Sequence, residues 1–298
     1  LAARLPLLLP FALSLLLALV TLAWNGVVGL SWNGPTLWTI LLASAPLLLL
    51  AAYAALRGMN GFAEAIVFAC AYMLVPLIAV RLSYLVTTVD FPLVDTRLAG
   101  FDHALGFDWG NWARFLGGHP WLHTLTFAAY MSPIEQALCS AAIFSFAGLS
   151  SRNAEMLFSL VLALIVVIAI YTLLPELGPA SLIGAHNQME ASIIALRAGS
   201  LGPFPYVGVV SFPSFHTIMA IVFTFSHRGL RSFWPVAMLN TLMLLGTPTY
   251  GDHYLADMFA GAAVAACTLL VSHLIYGRRE AAAHIGRTAP AWEPAPAG

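Results

Sequence analysis

Residues 154–175 read AEMLFSLVLALIVVIAIYTLLP, an apolar run whose one charge, Glu155, stands at its start. Its length matches the roughly 20 residues that an α-helix needs to cross a bilayer core. The pattern recurs. Apolar runs at about 6–28, 36–56, 62–86, 121–147, 154–175, 213–229, 233–249 and 253–276 predict eight spans, the sixth and seventh short and interrupted by proline and polar residues. The whole chain is 60% hydrophobic and 8% charged, where soluble domains carry roughly 25% charged residues. A soluble globular protein is thereby excluded, and the expected fold is all-α, a polytopic integral membrane helix bundle of about eight transmembrane helices. The first run is read as a membrane helix, being longer than the apolar core of a signal peptide and lacking a small-x-small cleavage site.

Cys70, Cys139 and Cys267 all lie inside apolar runs, which argues for buried thiols over a disulfide scaffold. The chain has no lysine and a net charge of −1, so it lacks the basic face that nucleic acid requires. With eight spans both termini share a side, and Arg4, Arg57, Arg152, Arg228, Arg231, Arg278, Arg279 and Arg287 fall with them, against Arg97, Arg114 and Arg197 opposite. The positive-inside rule then places both termini in the cytoplasm of a plasma (inner) membrane protein. Two long connections, about 87–120 and 176–212, face outward, and the first suits a helix lying in the membrane interface or a packed surface loop. The tail after Arg279 reads as disordered.

Two segments put titratable groups at the starts of predicted spans: Ser211-Phe212-Pro213-Ser214-Phe215-His216-Thr217 and Tyr250-Gly251-Asp252-His253-Tyr254-Leu255-Ala256-Asp257. Pro213 fits a first helical position and Asp252 an N-cap. The 37 residues from His216 to His253 suffice for one helix across and one back, returning both histidines to the outer face. Two helix N-termini converging there would favour an anion, phosphate above all. His253 and Asp257 are four apart, so the carboxylate can hold one ring nitrogen and leave the other as a nucleophile. His216 is placed to protonate a leaving oxygen and Ser214 to hold phosphoryl oxygens. Two histidine roles predict a bell-shaped pH profile between two histidine-like pKa values. A metal site built from His216, Asp252, His253 and Asp257 is the second enzymatic option. A non-catalytic lipid-binding or transport protein is the option from another class.

Pro213-Ser214-Phe215-His216 resembles the P-S-x-H signature, and His253-x-x-x-Asp257 the H-x-x-x-D signature, of the type 2 phosphatidic acid phosphatase superfamily. The form Phe-Pro-Ser-x-His with His-Tyr-x-x-Asp is most similar to its inositol phosphorylceramide synthase-like branch. The resemblance covers residues 121–276 and implies a six-helix catalytic core there, preceded by N-terminal helices and an outer loop (1–120) and followed by a cytoplasmic tail (277–298). It implies a cofactor-free, metal-independent reaction through a phosphohistidine on His253, with Asp257 orienting, His216 as acid and Ser214 on the phosphate. The implied substrate is a lipid phosphate or phospholipid entering from the bilayer, and the acceptor water or an alcohol. Phosphatase and phosphotransferase share all of these residues.

The sequence departs from the superfamily in two places. A Lys-x6-Arg-Pro signature is replaced by Tyr171-Thr-Leu-Leu-Pro175-Glu-Leu-Gly178-Pro179, and a Ser-Arg pair by Gly246-Thr247. Arg197, Arg81, Arg114 and His186 are the candidates to supply the missing phosphate contacts, with Arg197 and Arg81 foremost. Two charges fall within predicted spans. Arg81 is close enough to an outer end to snorkel or to reach phosphate, and Glu135, near the middle of the fourth, is expected to be hydrogen-bonded between helices or to bind a polar acceptor.

Overall fold

The computed structural model describes residues 5–34, 37–185 and 187–288. In chain order these form α1 (Leu5–Val28), β1 (Trp32–Asn33), α2 (Leu37–Leu56), α3 (Asn60–Thr87), α4 (Asp95–Ala104), α5 (Trp109–Gly117), α6 (Pro120–Tyr130), α7 (Pro133–Phe146), α8 (Ser150–Leu173), α9 (Pro179–Leu182), α10 (Gln188–Arg197), β2 (Phe204–Pro205), α11 (Phe215–Ser226), α12 (Phe233–Tyr250) and α13 (Leu255–Thr288). Among the described residues four helical stretches are long and apolar enough to cross a membrane: Pro6–Val28, Asn60–Thr87, Ser150–Leu173 and Leu255–Gly277. Leu42–Leu56 and Phe215–Ser226 are shorter apolar helices. Leu15, Leu42, Leu49, Leu270 and Leu274 stand exposed on the outside of the bundle, as side chains facing lipid do.

The run read as the deciding span, α8, is the hub. It packs against α1, α3, α7, α11 and α13. Its Ala154, Met156, Leu157, Val161, Ala163 and Leu164 belong to the main apolar core, together with Phe68, Tyr72 and Val75 of α3 and Ile218 and Val222 of α11. That burial on every side is why an all-round apolar helix occupies this place.

Three expectations are revised. The single span at 121–147 is two helices broken at Met131–Ser132, because Pro133 has no N–H to donate to the preceding turn and begins α7. Glu135 therefore stands exposed in the first turn of α7, where a carboxylate complements the helix dipole, and not in mid-span. The last helix continues past 276 to Thr288, through the good helix formers Ala281, Ala282 and Ala283.

The two long connections are folded. The first holds α4 and α5, and the second α9 and α10. A parallel strand pair, Trp32 beside Phe204 and Asn33 beside Pro205, ties the α1–α2 connection to the second loop.

Candidate functional site

The site forms where the start of α11 meets the start of α13. Ser214 is the N-cap of α11, its Oγ accepting from the Thr217 N–H at 3.3 Å, so Pro213 lies one residue before the cap and not at the first helical position. The Ser214 N–H donates to the Asp257 carbonyl at 3.0 Å, stitching the two helix starts together. Gly261 allows this closeness, since a Cβ there would meet the Ser214 carbonyl oxygen at 2.5 Å.

His253 sits in the turn before α13, buried, with Nδ1 3.1 Å from Asp257 Oδ2. The same Oδ2 accepts from the Tyr254 N–H at 2.8 Å. An ionised carboxylate is acceptor-only, so it holds the His253 proton on Nδ1. Nε2 is then free to accept from the Ser214 hydroxyl, 3.3 Å away. Burial lowers the His253 pKa from its ordinary value to about 4, against the opposing charge of Asp252, so the ring is neutral near pH 7. Gly251 leaves room for this ring, because a Cβ there would collide with His253 Cδ2.

The second histidine, His216, lies in the first turn of α11 and stacks on Tyr130 with ring centroids 4.0 Å apart and planes at 18°. His216 and His253 both line a cavity of ≈ 360 Å³. Most of its remaining wall is apolar, including Val75 and Ala79 of α3, Ile134 and Ala137 of α7, Leu164 of α8 and Met219 of α11. Tyr130 was not singled out in the sequence, where nothing distinguishes it from an ordinary interfacial tyrosine.

Carboxylates from the first long connection hold the site's backbone. Asp102 of α4 accepts from the Leu255 and Ala256 N–H groups at 2.8 and 3.1 Å. Asp95 accepts from the Leu177 and Gly178 N–H groups and from the Tyr254 hydroxyl. Asp252, expected to cap α13, turns away at φ 52 and accepts from the Ala180 N–H at 2.8 Å and Asn187 Nδ2 at 2.6 Å. The α13 N-terminus expected to attract phosphate thus already holds a carboxylate, which satisfies its orphan N–H groups and dipole.

The arginines go elsewhere. Arg197 pairs with Asp90 at 2.8 Å and donates to the Phe91 carbonyl. Arg81 is buried with its guanidinium 4.7 Å above the Trp32 ring and 5.8 Å from that of Tyr206. Arg114 bonds Asn111 on the exposed α5, and His186 lies outside the described residues. Among the described residues no arginine lines the cavity. Side-chain atoms of Glu176, His253 and Asp257 lie within 4.8 Å of one another, close enough to share a cation. Asp252, expected among possible metal ligands, is not in that group.

A family model described as the PAP2 superfamily matches residues 96–271, more than half of the chain, and spans both motifs. No curated protein and no solved structure matches.

Proposed function

The chain belongs to the PAP2 superfamily, and from that premise we propose that it is a membrane enzyme that cleaves or transfers the phosphoryl group of a lipid phosphate or phospholipid. The observation that carries this reading is the alignment of Asp257, His253 and Ser214, with His253 reaching the wall of a mostly apolar cavity. In the proposed reaction His253 Nε2 attacks phosphorus, the bond from phosphorus to the leaving oxygen breaks, and His216 supplies the proton that oxygen needs. Asp257 stabilises the imidazolium that forms, as the carboxylate of a nucleophile-base-orienter array does. Ser214, released from Nε2, donates to a phosphoryl oxygen. Water or an alcohol then attacks the phosphohistidine, giving its proton to His216, and restores both histidines. The lipid chain lies against α3, α7 and α8.

The absence of the Lys-x6-Arg-Pro signature supports the inositol phosphorylceramide synthase-like branch and an alcohol acceptor. The arginine distribution supports cytoplasmic termini and an outward-facing site in the plasma (inner) membrane. The same shortage of cations at the cavity favours one rival, a chain that binds phospholipid without turnover.

The deciding experiment supplies wild type and His253→Ala, purified in detergent with EDTA, with lipid phosphates and phospholipids, with and without polyol or ceramide acceptors. Turnover by wild type and its loss in His253→Ala is expected, and the ratio of free phosphate to transferred product separates phosphatase from phosphotransferase. Binding without turnover in both proteins overturns the enzymatic reading.

A further inference from the structure

One buried acid at the site has no place in that reaction. Glu176, in the turn after α8, is 0% exposed, and neither of its carboxyl oxygens has a hydrogen-bond partner among the described residues. Asp257 Oδ1 and Ser211 Oγ, both buried, are likewise without partners among the described residues. Asp257 itself is 0% exposed, and its other oxygen is taken by the Tyr254 and His253 N–H groups. Carboxylates hydrogen-bond only as acceptors, so Glu176 and Asp257 as two anions leave these oxygens facing one another unpaired. A single proton resolves the set. A protonated Glu176 donates to Asp257 Oδ1, and the Ser211 hydroxyl donates to the other Glu176 oxygen.

Which acid holds the proton follows from the donors each already has. Asp257 accepts two N–H bonds and is the natural anion, whereas Glu176 accepts none. We propose that Glu176 is a positioning residue that keeps its proton and donates it to Asp257 Oδ1, so that Glu176, Asp257, His253 and Ser214 form one hydrogen-bonded chain carrying a single negative charge. The inference rests on the phosphohistidine reading given above and takes no part in the bond changes at phosphorus. Its role is to satisfy Asp257 from behind, so that the buried carboxylate stays ionised without drawing the Nδ1 proton away from His253.

The surroundings favour retention of the proton. Facing Glu176 and its partner are Asp95 and Asp102 of α4, Tyr171 of α8, Ser211, and His253, Tyr254 and Asp257 at the α13 start. Arg197 is held against Asp90. Burial first, then the charges of Asp257 and Asp95, raise the Glu176 pKa well above the ordinary carboxyl value, against a bond from Ser211. A raised pKa means the proton is present at low and neutral pH and is lost as pH climbs, so Glu176 adds its own alkaline loss to the one that deprotonation of His216 sets.

The test compares purified wild type, Glu176→Gln and Glu176→Ala in detergent, measuring kcat and KM on a lipid phosphate across pH, together with infrared spectra of wild type and Glu176→Gln. The side-chain amide of Glu176→Gln still donates an N–H, so kcat within about 3-fold of wild type is expected, against a loss of about 30-fold for Glu176→Ala with KM changed less than about 3-fold. The alkaline limb should be less steep in Glu176→Gln, only the His216 part remaining, and the carbonyl band of a buried protonated carboxylic acid should vanish. Equal losses in the two variants, an unchanged alkaline limb, or an unchanged infrared band overturn the proposal. Loss in Glu176→Gln alongside chelator-sensitive activity that zinc or manganese restores also overturns it, assigning the cluster to a cation instead. Where Glu176→Ala does not fold, the Glu176→Gln comparison decides. Absence of turnover in wild type defeats the phosphohistidine reading alone, since the infrared band still reports the Glu176 proton.

Discussion

His253 owes its tautomer to a single oxygen. Asp257 Oδ2 sits 3.1 Å from Nδ1 and leaves Nε2 with its lone pair toward Ser214. Replacing Asp257 with Asn keeps a carbonyl oxygen for the Tyr254 N–H and Nδ1 but removes the negative charge that stabilises the imidazolium formed on attack. We expect kcat for Asp257→Asn to fall by about 10³-fold or more with KM little changed, by steady-state kinetics. The pH dependence also belongs here. Burial brings the His253 pKa to about 4, so the nucleophile becomes protonated, and rate is lost, only as pH falls through that value. The acid limb of kcat/KM is therefore expected near pH 4 and not at the 6.5 of a free histidine. An acid limb near 6.5 would count against His253 as the nucleophile.

Short elements between the long helices set that geometry. The start of α13 is held by Asp102 from α4, more than 150 residues earlier, and the 175–180 turn by Asp95 and Asp252. Because Asp102 meets two N–H groups, Asp102→Ala leaves both without an acceptor. A loss of about 1–2 kcal/mol is expected, read as a lower midpoint of thermal unfolding in detergent, with Asp102→Asn recovering part of it. Equal stability of wild type and Asp102→Ala would show that the cap carries no weight.

At the scale of the molecule the cavity joins two parts of the chain. His216 and His253 lie within the matched 96–271, whereas α3, outside that range, supplies Val75 and Ala79 to the apolar wall. Ala79→Trp fills space against that wall and leaves His216 and His253 untouched. It should lower kcat/KM about tenfold for long-chain lipid phosphates and leave water-soluble short-chain phosphates within about twofold. Equal effects on both would mean that the cavity does not receive the chain.

Helical class, the apolar runs and the two motifs that meet at the site were legible because composition and spacing are local properties. A separation of four residues was enough to bring His253 to Asp257, and the Ser132-Pro133 pair that begins α7 stood in plain view inside an apolar run. The rest depends on contacts across the chain. That α13's first N–H groups go to Asp102 and not to phosphate, that Arg197 goes to Asp90 and Arg81 over Trp32, and that Glu176 lies beside Asp257 all follow from how segments far apart in the chain converge. A charged residue's spacing along the chain does not name its partner, because in a bundle of buried helices the cost of an unpaired polar atom is met by whichever group packing brings within reach.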